Sequence, residues 1–420
     1  MSELLAKPKI CGACNKPGCS LKCPCKLVFY CGEECQRAHW PTHKKECRLA
    51  LSKKVKDARK EHGRNDQAVA EARLDAALAH KQQGRYKEAE KCYLEARRIL
   101  VELHGEEDEL IGLVSTMLGE LYLDMGKYDK ALEHHNKGLE ITRGNDGERG
   151  VQTGVALASI GDTMHRQGKH GEALAKLDLA HSILEERVGK NHTHVADVLT
   201  TKGMCHYAMK RLVEARAMHE EALRIHRRQC GNGSKEVAKS LRYLGHILNE
   251  EGMLDEAKAN YEEALGICRR VHGEKHQDVG YLFQDISNVL AKQGKHDEAL
   301  AVQKKALKIN NRVLGDDNED VAKGLENMAH ALFDQGKYDE ALEILDKALG
   351  TYTRALGIDN GENAKIHLRM AFCKLQSTDF DGALESARES VRIFKKLGPA
   401  GNCKDSRDAR ELLRDLEGGE

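Results

Sequence analysis

This sequence of 420 residues has few prolines, a single tryptophan and no formal net charge. Its five prolines stand at positions 8, 17, 24, 41 and 399, so a long central stretch contains none. Because proline interrupts helix interiors, this absence favours a nearly continuous array of helices. Lys and Arg total 67 and Asp and Glu also total 67, so the overall charge indicates no class of partner.

Long apolar runs are absent as well. No stretch approaches the roughly 20 apolar residues that a membrane helix needs, and no apolar signal segment precedes Cys11. We therefore expect an intracellular protein, cytoplasmic or nuclear, that is not secreted and has no membrane partner.

The central stretch, in contrast, repeats itself every 42 residues. Six steps of one register carry glycine and two carry Lys210 and Thr378; the glycines are Gly84, Gly126, Gly168, Gly252, Gly294 and Gly336. Five residues later every step carries alanine: Ala89, Ala131, Ala173, Ala215, Ala257, Ala299, Ala341 and Ala383. A second glycine recurs at Gly105, Gly147, Gly189, Gly231, Gly273, Gly315 and Gly357. A fixed period of this size is typical of a solenoid, whose units bury their apolar faces against their neighbours.

The two glycines divide each unit into two helical segments. Apolar residues from Val237 to Leu248 recur at spacings of three and four, which places them on one helical face. Gly252 ends that pattern, because glycine enters the left-handed conformation of a helix C-cap without a steric penalty. The alanines suit a close helix crossing. The pattern predicts an all-α superhelical solenoid of about eight helix-turn-helix repeats over residues 69–399, with a C-terminal capping helix or tail at 400–420.

The segment Gly336–Leu342, Gly-Lys-Tyr-Asp-Glu-Ala-Leu, is similar to the helix turn of the tetratricopeptide repeat. The long period and the loop Gly273–Val279 resemble the repeats of kinesin light chains. The resemblance covers about four fifths of the chain. It implies a right-handed superhelix in which the first helices of the repeats line a concave peptide-binding face.

Eight of the 14 cysteines lie before residue 48. In a reducing compartment such a cluster indicates metal rather than disulfides, although a disulfide knot in a secreted domain is the alternative. Close-spaced pairs suit zinc, which takes four tetrahedral thiolate or imidazole ligands. The candidate ligands of two zinc ions are Cys11, Cys14, Cys23, Cys25, Cys31, Cys35, His43 and Cys47.

Residues 11–47, which follow a short tail at 1–10, closely resemble the MYND zinc finger over Tyr30–Cys47. That family interleaves the ligands of its two zinc ions along the sequence. The resemblance therefore implies that one zinc ion is bound by Cys11, Cys14, Cys31 and Cys35, and the other by Cys23, Cys25, His43 and Cys47. The spacing Cys23-x-Cys25 is shorter than the family pattern, so Cys19 is an alternative to Cys23.

In MYND fingers that bind peptides, two positions line a groove for short proline-rich segments, and they correspond here to Gln36 and Trp40. Four residues apart on a helix, these side chains share a face. The alternative is that Trp40 packs the interior of the finger.

The segment that follows, 48–68, is a basic linker, and residues 1–64 hold 15 Lys or Arg against 6 Asp or Glu. The basic residues of the linker are Arg48, Lys53, Lys54, Lys56, Arg59, Lys60 and Arg64. Such a run is most simply a solvated helix that leads into the first repeat, but it can also contact nucleic acid.

The positions that face the groove in tetratricopeptide repeats differ in charge along the array. In the first four repeats they include the acidic residues Glu71, Asp75, Glu120, Asp162 and Asp197. In the last four repeats they include Lys239, Arg242, Tyr243, His246, Gln284, Asn288, Lys323, Asn327, His330, Lys365 and Arg369. This difference predicts that the carboxy-terminal half captures an acidic peptide, although solvated faces whose charges balance by chance are an alternative.

Two motifs that suggest catalysis fail in this context. Asn191-His192 resembles a motif of SET methyltransferases, but it lies in a loop between repeats, where no SET domain fits. Cys205 and His206 are adjacent on a helix and point about 100° apart. We therefore expect a non-catalytic adaptor that binds other proteins, with a regulatory factor associated with transcription or nucleic acid as the alternative and a methyltransferase as a distant third.

Overall fold

The computed structural model describes residues 21–22, 29–30, 53–82, 84–401 and 403–418. The predicted zinc ligands and the predicted finger residues Gln36 and Trp40 lie outside these residues. Between Cys19 and Cys31, strands β1 (Leu21–Lys22) and β2 (Phe29–Tyr30) pair antiparallel. The chain divides into two compact units, which we call unit 1 (Met1–Ile247) and unit 2 (Leu248–Glu420).

Helices account for most of the described chain, which confirms the predicted all-α repeat fold. In unit 1, α1 covers 53–62 and is followed by α2 (Gln67–Gln82), α3 (Tyr86–His104), α4 (Glu109–Asp124), α5 (Tyr128–Asp146), α6 (Val151–Arg166), α7 (His170–Val188), α8 (Thr193–Ala208) and α9 (Leu212–Cys230). Helix α10 (Lys235–Glu250) contains the division between the units. Unit 2 continues with α11 (Leu254–His272), α12 (Gln277–Lys292), α13 (His296–Leu314), α14 (Glu319–Asp334), α15 (Tyr338–Leu356), α16 (Gly361–Gln376), α17 (Phe380–Lys396), a 3-10 turn (Gly398–Gly401) and α18 (Lys404–Glu417).

Each repeat pairs a first helix with a longer second helix. The eight alanines at the start of the second helices are at most 1% exposed, which agrees with a close helix crossing. Larger buried side chains such as Leu177 in unit 1 and Leu345 in unit 2 fill the space between successive helices. The core of each unit is therefore built from contacts between neighbours along the chain.

The turns between the paired helices use the left-handed backbone conformation. The six turn glycines have φ between 68° and 83°. Lys210 and Thr378 adopt the same conformation, with φ of 60° and 65°, although side chains rarely do so. A left-handed side chain costs about 1–2 kcal/mol, so the repeat geometry imposes this conformation on both residues.

We expect Thr378→Gly to raise the free energy of unfolding of unit 2 by about 0.5–1 kcal/mol. The free energy gained by removing the left-handed strain of Thr378 should exceed the cost of the extra conformational entropy that glycine gives the unfolded chain. The reverse change at an equivalent turn, Gly336→Thr, should destabilise the same unit. Hydrogen exchange of the two turns during urea unfolding would measure both effects, and a destabilising Thr378→Gly would contradict them.

The first helix of each repeat is preceded by an N-cap residue, which lies 18 positions before the turn of that repeat. Its side chain accepts a hydrogen bond from a backbone N–H two or three residues later at Asp108, His192, His276, Asn318 and Asn360. Such N-caps satisfy donors that the helix leaves unpaired. His192 of the loop that resembles the SET motif therefore has a structural role, capping α8.

The basic linker contacts the first repeat. Lys54 of α1 pairs with Asp75 of α2, and Arg59 pairs with Glu95 of α3. Val55 between them is 5% exposed. These contacts support the interpretation of the linker as a helix that leads into the array. None of the described helices has the length and apolar character needed to cross a membrane.

Candidate peptide-binding pockets

A pocket of about 350 Å³ opens on unit 2 beside α14 and α16. Three of the predicted groove residues line it, namely His330, Lys365 and Arg369. Phe333 and Phe372 supply apolar surface in the same pocket. The pocket thus brings three of the predicted groove residues together with aromatic side chains that were not predicted.

Carboxylates partly balance the charge of these cations. Arg369 Nη2 lies 3.0 Å from Glu326 Oε1, and Glu326 is 8% exposed. Lys365 Nζ donates a hydrogen bond of 2.8 Å to Glu362. Burial lowers the pKa of Lys365, but the hydrogen bond to Glu362 and nearby carboxylates outweigh it and raise the pKa overall. Lys365 therefore remains charged at neutral pH.

Helix α18 adds acidic residues to the pocket. Asp405 and Asp408 of this helix, together with Asp334 of α14, complete its wall. Asp334 Oδ2 lies 3.0 Å from His330 Nδ1. The pocket is therefore mixed in charge rather than purely basic, a feature that the first helices of the repeats could not reveal.

The other predicted groove residues of unit 2 lie outside this pocket. Gln284 donates a hydrogen bond of 3.2 Å to the backbone carbonyl of Asp320. Asn288 and Lys323 are exposed, and Asn327 is half-buried. These four positions share the first-helix face, but the structure does not gather them with Lys365 and Arg369.

The predicted residues of α10 form a separate cluster in unit 1. Tyr243 stacks on His219 with ring centroids 5.0 Å apart, and Lys239 Nζ lies 6.0 Å from the Tyr243 ring centroid. His246 contacts the same ring at 6.5 Å. Arg242 is half-buried on the same helix. Tyr243 therefore packs against the second helix of the preceding repeat as well as facing solvent.

A second pocket, of about 380 Å³, is acidic and lies on unit 1. Glu120, Asp162 and Asp197, all predicted groove residues, line it with Asp124. Lys81 partly offsets them, at 3.2 Å from Glu120 and 3.3 Å from Asp124.

The remaining predicted acidic residues have other partners. Glu71 accepts a hydrogen bond of 3.2 Å from Gln67, and Asp75 pairs with α1. The acidic surface of unit 1 is thus concentrated at α4, α6 and α8.

Among the buried histidines of unit 1, two pack against a glycine of the facing helix and were not among the sequence-predicted residues. His135 is 2% exposed and His219 is 1% exposed. Burial lowers the pKa of His135 to about 4, opposed in part by Asp162 and assisted by His134 and Lys81. Burial lowers the pKa of His219 to about 3, and Lys239 and His246 add to the effect. Both imidazoles are therefore neutral in the folded protein. Their burial could have been inferred from the repeat register, because both lie nine residues after a turn. That position is occupied by leucine in two other repeats, at Leu177 and Leu345.

The array cysteines are mostly buried, as expected of small apolar repeat residues. Cys92, Cys205, Cys268 and Cys373 are at most 7% exposed. Burial raises the pKa of the Cys205 thiol to about 12, so the side chain is protonated at neutral pH when no metal is bound. Cys230, in contrast, is exposed at the end of α9.

Repeated helix pairs, with pockets lined by their first helices, define a helical repeat scaffold. The sequence model of the tetratricopeptide repeat matches residues 68–144, 152–228, 236–312 and 320–396, and the chain belongs to this family. The model of the MYND finger matches residues 11–47. The tetratricopeptide fold is typically a non-catalytic scaffold, MYND fingers bind zinc, and both modules indicate protein partners.

Known proteins resemble parts of the chain. Dauer abnormal formation protein 25 of Caenorhabditis elegans is 48% identical over 46 residues, which are 11% of this chain and 12% of that protein's length. A STAND signal transduction ATPase with a tetratricopeptide repeat sensor from Pyrococcus horikoshii aligns with a TM-score of 0.56 at 12% identity, over 93% of this chain and 57% of that chain. A Rap protein complexed with competence and sporulation factor aligns with a TM-score of 0.53 at 15% identity, over 84% and 99% of the two chains. At these identities the structural likeness establishes the fold alone.

Proposed function

We propose that the chain is an adaptor whose unit 2 pocket holds a short acidic and apolar segment of a partner protein. The observation that carries this proposal is the placement of Lys365 and Arg369 beside Phe372 in one pocket. A ligand carboxylate would share Arg369 with Glu326, and an apolar ligand side chain would cover Phe372. Charge in a concave surface strengthens and accelerates such association at low salt.

The aspartates of α18 bear on the same proposal. Asp405 and Asp408 reduce the positive charge of the pocket, so the apolar contacts must supply part of the affinity. The proposed ligand therefore combines glutamate or aspartate with leucine or phenylalanine, rather than being a run of acidic residues.

We expect Lys365→Glu with Arg369→Glu to weaken binding of a labelled peptide of alternating glutamate and leucine by about 1–3 kcal/mol. Asp405→Asn with Asp408→Asn should instead strengthen it. Lys305→Glu with Lys308→Glu, on the exposed part of α13, makes the same charge change away from the pocket and serves as the control. Fluorescence polarisation at low salt would measure all four proteins. Equal affinities for wild type and the Lys365/Arg369 variant would contradict the proposal.

The cluster on α10 allows a separate test of where the ligand lies. Lys239→Glu with Arg242→Glu should weaken the same peptide by about 1–3 kcal/mol if the peptide also binds at Tyr243, and should leave the helical content unchanged. Circular dichroism would verify the fold, and polarisation would give the affinity. Unchanged affinity at low salt would exclude α10 from the binding surface.

The acidic pocket favours a second ligand of opposite charge. Glu120, Asp162 and Asp197 converge there with Asp124, so a basic segment of a partner fits unit 1 as an acidic segment fits unit 2. Screening by salt should weaken both interactions.

The finger completes the proposed adaptor. We propose that Gln36 and Trp40, on residues matched by the MYND model, bind a proline-rich segment, because flat aromatic side chains are common anchors at interfaces. Trp40→Ala should abolish binding of a proline-rich peptide and leave the glutamate–leucine peptide unaffected.

Binding of nucleic acid by the basic amino-terminal end is the competing function. The pairing of Lys54 and Arg59 with carboxylates of the first repeat removes part of the charge that this function needs. A steep loss of DNA binding with rising salt would favour it, because phosphate contacts release counterions.

A further inference from the structure

A cluster of two imidazoles and a thiol lies at the turn between α6 and α7 in unit 1. His165 stands near the end of α6, His170 begins α7, and Cys205 comes from α8. Their potential ligand atoms all lie within 4.8 Å of one another, and Cys205 Sγ lies 3.5 Å from His165 Nδ1. The rings of the two histidines are 5.1 Å apart.

These separations are close to those around a tetrahedral zinc ion. Zn–S of about 2.3 Å and Zn–N of about 2.0–2.1 Å place sulfur and nitrogen ligands about 3.6 Å apart. The sulfur–nitrogen distance in the cluster already agrees with this value. The 4.8 Å limit exceeds a nitrogen–nitrogen edge of about 3.3 Å by about 1.5 Å, a difference that rotation of an imidazole about its side-chain torsions can supply.

The local environment also suits a cation. Nδ1 of His170 is buried and has no hydrogen-bond partner among the described residues. The carboxylate of Asp162, three residues before His165 on α6, acts electrostatically on both His165 and Cys205.

The same turn in another repeat shows what the position requires for folding alone. Phe333 and Tyr338 occupy the equivalent positions in unit 2, with ring centroids 5.3 Å apart, and Cys373 is the equivalent thiol. Aromatic packing is therefore sufficient at this turn. At the turn in unit 1, His165 and His170 replace these aromatic side chains and provide nitrogens that can bind a metal, one of which has no hydrogen-bond partner among the described residues.

We propose that His165, His170 and Cys205 bind a zinc ion in the helical array, separate from the ions of the finger. The three side chains leave a fourth position for water or another ligand. Because the thiolate is the ligand, binding releases the Cys205 proton to solvent. A three-ligand zinc site with an open position can accept a further donor group from a bound molecule.

A second cluster, His272, His276 and Asp278 in unit 2, does not carry the same inference. His276 Nδ1 already accepts the backbone N–H of Asp278 at 3.1 Å as the cap of α12. A metal ion would compete with that hydrogen bond, so this cluster has a structural explanation.

The test compares wild type with His165→Phe/His170→Tyr, which recreates the aromatic turn found at Phe333 and Tyr338. After incubation of the full chain with zinc and removal of excess ion, native mass spectrometry should find one zinc ion fewer in the variant. Cys205→Ala should lose the same ion. It should still fold, because alanine occupies the equivalent position of other repeats at Ala79 and Ala331. Circular dichroism would show that both variants fold. Equal zinc counts in folded wild type and variants would overturn the proposal.

Hydrogen exchange locates the ion independently of the finger. Added zinc should slow exchange at residues 165–170 of wild type and leave that turn unchanged in His165→Phe/His170→Tyr. The equivalent turn at 333–338 should not respond in either protein. Absence of zinc-dependent protection at 165–170 in wild type would likewise overturn the proposal.

Discussion

At pH 5, the free energy of unfolding of unit 1 should be higher in the variant His135→Leu/His219→Leu than in wild type, and the difference should be about 4 kcal/mol larger than at pH 7. The two imidazoles are buried and neutral, and burial lowers their pKa values to about 4 and about 3. In the unfolded chain a histidine titrates near 6.5. The advantage of the variant should therefore grow as the pH falls below about 6.5.

The sign of this effect follows from proton binding. As the pH falls below about 6.5, the unfolded chain takes up protons at both positions while the folded protein does not, so wild type loses stability. At pH 5 the loss is about 2 kcal/mol for each imidazole. It approaches completion only near the folded pKa values, at pH 3–4. Above pH 7 this contribution vanishes, and the remaining gain of about 1–3 kcal/mol reflects nitrogens without partners.

Leucine is a suitable replacement because the chain already uses it at the equivalent position. Leu177 packs against Gly161 there, as His135 packs against Gly119 and His219 against Gly203. Urea unfolding read by hydrogen exchange of α5 and α9, at pH 7 and pH 5, would give the two differences. His104→Gln, at an exposed position, is the control. An advantage of the double variant that is the same at both pH values would contradict the assignment of buried, neutral imidazoles.

Removal of zinc should unfold the finger and leave the helical array folded. A segment of 37 matched residues has too small an apolar core to fold alone, and structural zinc contributes about 10–16 kcal/mol to such domains. Seven thiolates and an imidazole form the donor set that zinc prefers. Native mass spectrometry should find two zinc ions in the finger, and chelation should abolish binding of a proline-rich peptide while the helical signal in circular dichroism persists.

Cysteine variants separate the ligands of the finger. Cys25→Ser should remove one zinc ion, whereas Cys19→Ser should remove none. Loss of zinc from Cys19→Ser, together with retention in Cys23→Ser, would assign the third ligand of the second site to Cys19. A finger that keeps its peptide affinity without zinc would contradict the proposed role of the metal.

The repeat fold was predictable because its contacts are local. A 42-residue period fixes the helix pairs, and the left-handed turn is marked by glycine at most steps. The same register also identified Lys210 and Thr378 as exceptions, and both have positive φ. The helix caps escaped notice because the capping position varies in residue type, from Asp108 to His192 and Asn318.

The composition of the pockets was less predictable, because it depends on contacts that no repeat pattern encodes. Helix α18 lies outside the register, yet its Asp405 and Asp408 face Lys365 and Arg369. Burial of His135 likewise depends on the room that a glycine of the facing helix leaves. The repeat register thus placed residues on the first-helix face, whereas docking of helices decided which charges meet there.

Hydrogen exchange of the full chain with and without the glutamate–leucine peptide tests the central claim most directly. The account predicts slower exchange on binding along α14 (Glu319–Asp334) and α16 (Gly361–Gln376), and no change in α13. The protection should disappear in Lys365→Glu/Arg369→Glu. Protection confined to residues 1–64, or to second helices of the repeats, would show that the partner segment binds elsewhere and would contradict the account.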